Sequence, residues 1–152
     1  MSNKPTASAS LAANDKFKTP IQIDDHRLIL DEPESSGGTN EGPSPVKSVL
    51  GSLASCTAMT IKMYLDHKGW SFQNLKVDIY YSEKRVKKDE QLSEEEQNYV
   101  RKGRIRKINK YISVEGNLSD EQLERIKKIS PKCPVHQLLV GSCIINDELH
   151  RV

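Results

Sequence analysis

Residues 46–68, VKSVLGSLASCTAMTIKMYLDHK, constrain this chain more than any other stretch. Ser44 can cap a helix, Pro45 suits its first position, and Gly69 suits the C-terminal cap. Val46, Val49, Leu50, Leu53, Met59, Ile61, Met63, Tyr64 and Leu65 nearly encircle the predicted helix. Gly51, Ser52, Ala54, Ser55 and Ala58 are small and permit close backbone approach. A helix apolar on all sides is a buried one. At about 1.5 Å per residue it spans roughly 34 Å, the width of a small domain. One modest domain rarely buries such a rod alone, so a second subunit is expected to help cover it.

The remaining pattern supplies that helix with neighbours. SASL (8–11), KFKTPIQI (16–23) and HRLIL (26–30) read as short strands. DEPESSGGTNEGPSP (31–45) reads as an exposed loop. LKVDIYYSEKRV (75–86) alternates Leu75, Val77, Ile79 and Tyr81 on one strand face. KKDEQLSEEEQNYVRKGRIRK (87–107) is a charge-dense insert, read as a solvated surface segment with a short helix or a flexible excursion. INKYISVEGNL (108–118) is a further strand. SDEQLERIKKIS (119–130) opens with a Ser119…Gln122 capping box and carries Leu123, Ile126 and Ile129 on one stripe, so it is a surface helix ended by Pro131. PVHQLLV is a short helix from Pro134, and SCIINDEL (142–149) is expected to close as a strand. The order gives an α+β domain. Residues 1–6 are expected to be disordered, with residues 7–152 forming one domain.

Composition narrows the function. A net charge of +2 and a pI near 8.4 give no general reason to expect nucleic acid or an anionic membrane as partner. The N-terminal residues lack the apolar core of a signal peptide, and no apolar run approaches a membrane span. Three cysteines do not resemble a secreted disulfide framework, so a reducing, cytoplasmic setting is expected.

The cysteines carry the available chemistry. Cys56 lies mid-helix among small and apolar neighbours, where a free cysteine is commonly a core residue and any lowering of its pKa needs a nearby cation. Cys133 precedes Pro134 and occupies an N-cap position, facing free N–H groups, with Lys132 adding positive charge. That favours a nucleophilic thiolate, although an ordinary loop cysteine fits the local sequence equally well. Cys143 is expected in the core. Cys133 and His136 stand three apart and Cys56 and His67 are present, but no paired C-x-x-C accompanies them, so neither a metal nor a cofactor is expected.

In order along the chain, DEPESSGGTNEGPSP, LGSLASCTAMTIKMYLDHKGW and GNLSDEQLERIKKISPKCPVHQLL resemble the OsmC/Ohr family, closest to its OsmC-like branch. The resemblance covers about residues 7–150, and only residues 84–104 fit poorly. It implies an OsmC-like fold, with antiparallel strands around a long central helix in an intertwined homodimer whose sites lie at the subunit boundary. It implies thiol-dependent reduction of organic hydroperoxides, with Cys56 peroxidatic and Cys133 resolving. A dithiol reductant, of the dihydrolipoyl type, would restore the pair. Family members also use an arginine–glutamate pair to supply charge for the leaving alkoxide, and Arg27 is the candidate arginine. The glutamate stands nine or ten residues before the first cysteine, where this chain has Lys47 and Val46. Within one helix Lys47 would lie about 14 Å from Cys56 on the opposite face.

Two further readings compete. A non-enzymatic or weakly active family member would bind a small molecule or thiol, and is distinguished by whether Cys56 and Cys133 can join. An RNA-binding module built on the basic insert would show binding that weakens steeply with salt.

Overall fold

The computed structural model describes residues 6–141 and 143–151. The chain divides into two compact units, residues 1–51 and 52–152, with the boundary inside the long helix α1 (Pro45–Lys68).

In the N-terminal unit, β1 (Ala7–Ala9), β2 (Thr19–Ile23) and β3 (His26–Leu30) form an antiparallel sheet in the order β1-β2-β3. The β2–β3 turn is two residues long and has Asp24 at φ 48°, a left-handed conformation open to aspartate. Apart from Thr6, the N-terminal residues expected to be disordered lie outside the described residues; the Thr6 carbonyl accepts the Asp24 N–H at 3.2 Å. The predicted loop follows β3. Buried Asp31 organises it, accepting from the Glu32, Thr39 and Glu41 amides and from the Thr39 hydroxyl at 2.6 Å. Gly42 leaves room for the backbone of β3: a Cβ there would stand 2.2 Å from the Ile29 carbonyl oxygen.

In the C-terminal unit, β4 (Asn74–Arg85) and β5 (Arg104–Glu115) pair antiparallel over their full length. β4 matches the expected strand to within a residue at each end, whereas β5 begins at Arg104, inside the charged segment, rather than at Ile108. Glu83 meets Arg104 and Arg106, Lys84 meets Glu90, and Lys107 meets Glu96. Mixed charges therefore become cross-strand and strand–helix partners instead of a loose excursion. Between the strands, α2 (Glu94–Tyr99) is set by a complete Ser93/Glu96 capping box. Next come α3 (Asp120–Ile129), with the expected Ser119/Gln122 box, a single 3-10 turn (Ser130–Lys132), and α4 (Pro134–Val140). Ile61, Leu65 and Ile126 form the core of this unit, packed against Trp70, Phe72, Leu75, Ile112, Val114 and Leu118.

Within this single chain the buried residues of α1 are Leu53, Thr57, Ile61 and Leu65, while Met59 and Met63 are 63% and 72% exposed. Two sequence expectations, the closing strand and a core Cys143, are corrected. Residues 143–151 form no strand, and Ser142 lies outside the described residues. Ile144 and Ile145 are exposed, and Cys143 is an exposed thiol rather than a core residue. Adjacent isoleucines lack the alternation that lets one strand face bury, and no described strand pairs with this segment. No described helix is long and apolar enough to cross a membrane.

Candidate thiol site

Cys56 and Cys133 meet within the C-terminal unit, from the middle of α1 and the start of α4. Both are free thiols, near enough to act on each other's ionisation but not at disulfide distance. Their environments differ. Cys56 is partly exposed, whereas Cys133 is 0% exposed.

Pro134 explains the placement of Cys133. Proline at the first position of α4 supplies the helical φ and lacks the N–H that would otherwise go unpaired. Cys133 is left extended at the N-cap, with φ −55° and ψ 128°, and its carbonyl accepts the Gln137 N–H at 3.0 Å. The sulfur makes no close capping bond, but the amides of His136 and Val135 act on it as donors. The preceding 3-10 turn anchors the other side, where the Cys133 N–H reaches the Ser130 carbonyl at 3.5 Å.

These surroundings pull the two thiols apart. Burial pushes the Cys56 thiol up, and the hydrogen bond it gives to Cys133 holds its proton more firmly. Burial also opposes ionisation of Cys133, but the donor groups around its sulfur, the Cys56 thiol, the His136 amide, the Thr57 hydroxyl and the Val135 amide, outweigh it, and its pKa falls. Cys133 is therefore the more readily ionised of the two thiols. Burial lowers the His136 pKa, and nearby Lys110 lowers it further, so its imidazole is neutral near pH 7.

Two contributors escaped the sequence reading. Thr57 is fully buried next to Cys56, and its hydroxyl has no hydrogen-bond partner. It stands close enough to the Cys133 sulfur to favour the thiolate. Its signal was its place on the buried stripe of α1, a polar residue among Leu53, Ile61 and Leu65. Lys110 on β5 is the other. Its Nζ donates to the Ser130 carbonyl at 3.1 Å, and both thiols act on its charge. Inward alternation through Ile108, Lys110, Ile112 and Val114 was the available signal.

Arg27 lies on β3 of the N-terminal unit, exposed, with its Nε donating to Gln22 Oε1 at 3.1 Å. Val46 and Lys47, at the expected glutamate positions, are exposed in the first turn of α1. Among the described residues, no group of three or more His, Cys, Asp or Glu side chains gathers as a metal site. Apart from the thiols, a groove of about 950 Å3 is lined in part by Met59, Lys62, Trp70 and Phe72.

Solved structures share the architecture. The OsmC-like protein from Mycoplasma pneumoniae matches at 21% identity with a TM-score of 0.65, covering 93% of this chain and 90% of that one. An organic hydroperoxide resistance protein OsmC from Legionella pneumophila matches at 16% identity and TM-score 0.62, covering 93% of each. The organic hydroperoxide resistance protein OhrB of Bacillus subtilis matches at 16% identity and TM-score 0.54, covering 89% of each. At these identities the likeness shows the fold. No curated protein matches the sequence. The family model described as OsmC-like protein matches residues 38–146, a span that includes both thiols, Thr57 and Lys110, and the chain belongs to that family.

Proposed function

We propose that the protein is a thiol-dependent peroxidase that reduces organic hydroperoxides through Cys56 and Cys133. The observation that carries this reading is the contact between an accessible thiol and a buried one that favours ionisation. Cys133 accepts the Cys56 proton, which moves the charge to the sulfur a substrate can reach. The Cys56 thiolate attacks the terminal peroxide oxygen, the O–O bond breaks, and Cys56 becomes a sulfenic acid. The alkoxide takes a proton, which the Cys133 thiol can return, and leaves as an alcohol. Cys133 is then a thiolate and attacks the sulfenic sulfur, forming a disulfide and releasing hydroxide, which is protonated to water. An external dithiol supplies the two electrons that restore both thiols.

Arg27 is our candidate cation for the leaving alkoxide, and Arg27→Ala should slow hydroperoxide reduction without moving the thiol titration. The two units are read as parts of one OsmC-like domain. A second copy is proposed to cover the exposed side of α1 around Met59 and Met63, giving a homodimer that light scattering would detect. Free thiols fit a cytoplasmic protein.

Reduced protein should be treated with one equivalent of an organic hydroperoxide without added thiol, then examined by intact mass and peptide mapping. Rapid loss of two hydrogens with a Cys56–Cys133 link is the expected result. Cys133→Ser should strand a sulfenic acid on Cys56; an intramolecular disulfide in that variant would refute the pairing. Slow, scattered oxidation would instead favour a binding role, for which the groove beside Trp70 and Phe72 provides the space.

A further inference from the structure

One side chain interrupts the apolar face of the β4–β5 ribbon. Leu75, Val77, Ile79 and Tyr81 stand opposite Val114, Ile112, Lys110 and Ile108. Lys110 is the charged member of that face, and it is half-buried. A lysine gains nothing from such a position unless its ammonium finds partners there. It finds the Ser130 carbonyl at 3.1 Å, and the same carbonyl accepts the Cys133 N–H. Ser130 is itself only 4% exposed. The ammonium is thus tethered to the turn that presents Cys133. Among the described residues no carboxylate forms an ion pair with it. The titratable groups facing it are Cys56 from α1, and Cys133 and His136 from the start of α4.

From this we infer that Lys110 is a positioning residue for the thiol pair: its ammonium holds the Ser130–Cys133 turn and supplies the positive field that keeps one of the two sulfurs ionised. The assignment rests on reading Cys56 and Cys133 as a redox pair. It also brings a cation to Cys56, which the middle of α1 does not itself supply. Burial works against the Lys110 charge and negative charge on the sulfurs offsets it in part, so charge on the lysine and charge on the sulfurs support each other.

The test is a titration, not a peroxide assay. Full-length reduced protein carrying Cys143→Ser, which removes the exposed third thiol, is followed by ultraviolet thiolate absorbance against pH. Lys110→Met should lower the thiolate fraction about tenfold below the first thiol pKa, equivalent to a rise of about one unit. Lys110→Arg should titrate close to the parent. Lys110→Gln can keep a donor to Ser130 while removing the charge; it should shift like the methionine variant, and it serves if that variant does not fold. An unchanged titration in folded Lys110→Gln overturns the inference. An equal shift in the arginine and methionine variants also overturns it, because charge would then be irrelevant. If the shift appears but organic hydroperoxide oxidises neither the parent nor the variant, the lysine assignment stands and the peroxidase reading fails.

Discussion

Thr57→Val should change the sign of its effect on stability with pH. The Thr57 side chain is fully buried, and its hydroxyl has no hydrogen-bond partner. Valine matches its branched shape, so packing and helix preference change little. While Cys133 is protonated, its sulfur is a weak acceptor and the hydroxyl is nearly unsatisfied, a condition that costs about 1–3 kcal/mol. The variant should therefore equal the parent or exceed it by about 1 kcal/mol at about pH 6. Once Cys133 ionises, the same hydroxyl donates to a thiolate, and a bond to a charged group contributes about 1.5–3 kcal/mol.

The sign follows from linkage. The folded pKa of Cys133 lies below its ordinary value of 9.0. Its contribution is fully present above that ordinary value and is lost as pH falls through the folded pKa. Removing a donor that lowers this pKa should cost stability only at high pH. Urea unfolding with reductant present, at about pH 6 and about pH 9.5, reads the difference directly. The variant should lose about 1–3 kcal/mol relative to the parent between the two conditions. A uniform difference at both pH values would refute the hydroxyl–thiolate contact. A loss above about 2 kcal/mol at the lower pH would mean that the hydroxyl has a strong neutral partner.

Leu65→Ala, at a fully buried position beside Ile61 and Ile126, should cost about 3 kcal/mol in urea unfolding; less than about 1 kcal/mol would mean that the core there can collapse. Asp31→Asn should flatten the acid limb of the stability curve. Hydrogen bonding from Thr39, with the Glu41, Glu32 and Thr39 amides, overcomes burial and holds the Asp31 carboxyl down to about 2, against an ordinary 3.8. Its contribution is present above 3.8 and disappears as pH falls through about 2, so parent and variant curves should converge there in an acid titration. Gly42→Ala places a Cβ 2.2 Å from the Ile29 carbonyl oxygen and should cost about 2 kcal/mol or more; a thermal midpoint equal to the parent's would show that β3 moves aside freely.

The positions of the two thiols were legible because each sits on a strong local signal. Pro134 marks a helix start, and the small residues around Cys56 mark a close-packed helix. The Ser119 box was read correctly, whereas the Ser93 box lay within charges that looked like solvent-facing sequence. Those charges pair across strands and with α2, contacts that no local window contains. Lys110 was passed over because its inward register depends on pairing with Ile79. The closing strand does not form because a strand needs a partner edge, and no described strand offers one to residues 143–151. The exposed side of α1 belongs to the same class: apolarity identified a surface to be covered, and nothing local said what covers it.

The β4–β5 ribbon also shapes the order in which the chain can fold. Its register joins Arg85 to Arg104 at the near end and Asn74 to Glu115 at the far end. Closing the near end first encloses the shorter loop and carries the smaller entropy cost. The Ser93-capped turn inside that loop restricts it further before any strand forms. Zippering can then run from the charged tip towards the core, bringing Lys110 opposite Ile79 about midway. The segment that fits the family pattern least would serve as the starting clasp of the ribbon, and replacing residues 89–100 with a flexible linker of equal length should slow refolding in stopped-flow fluorescence while leaving the thiol titration unchanged.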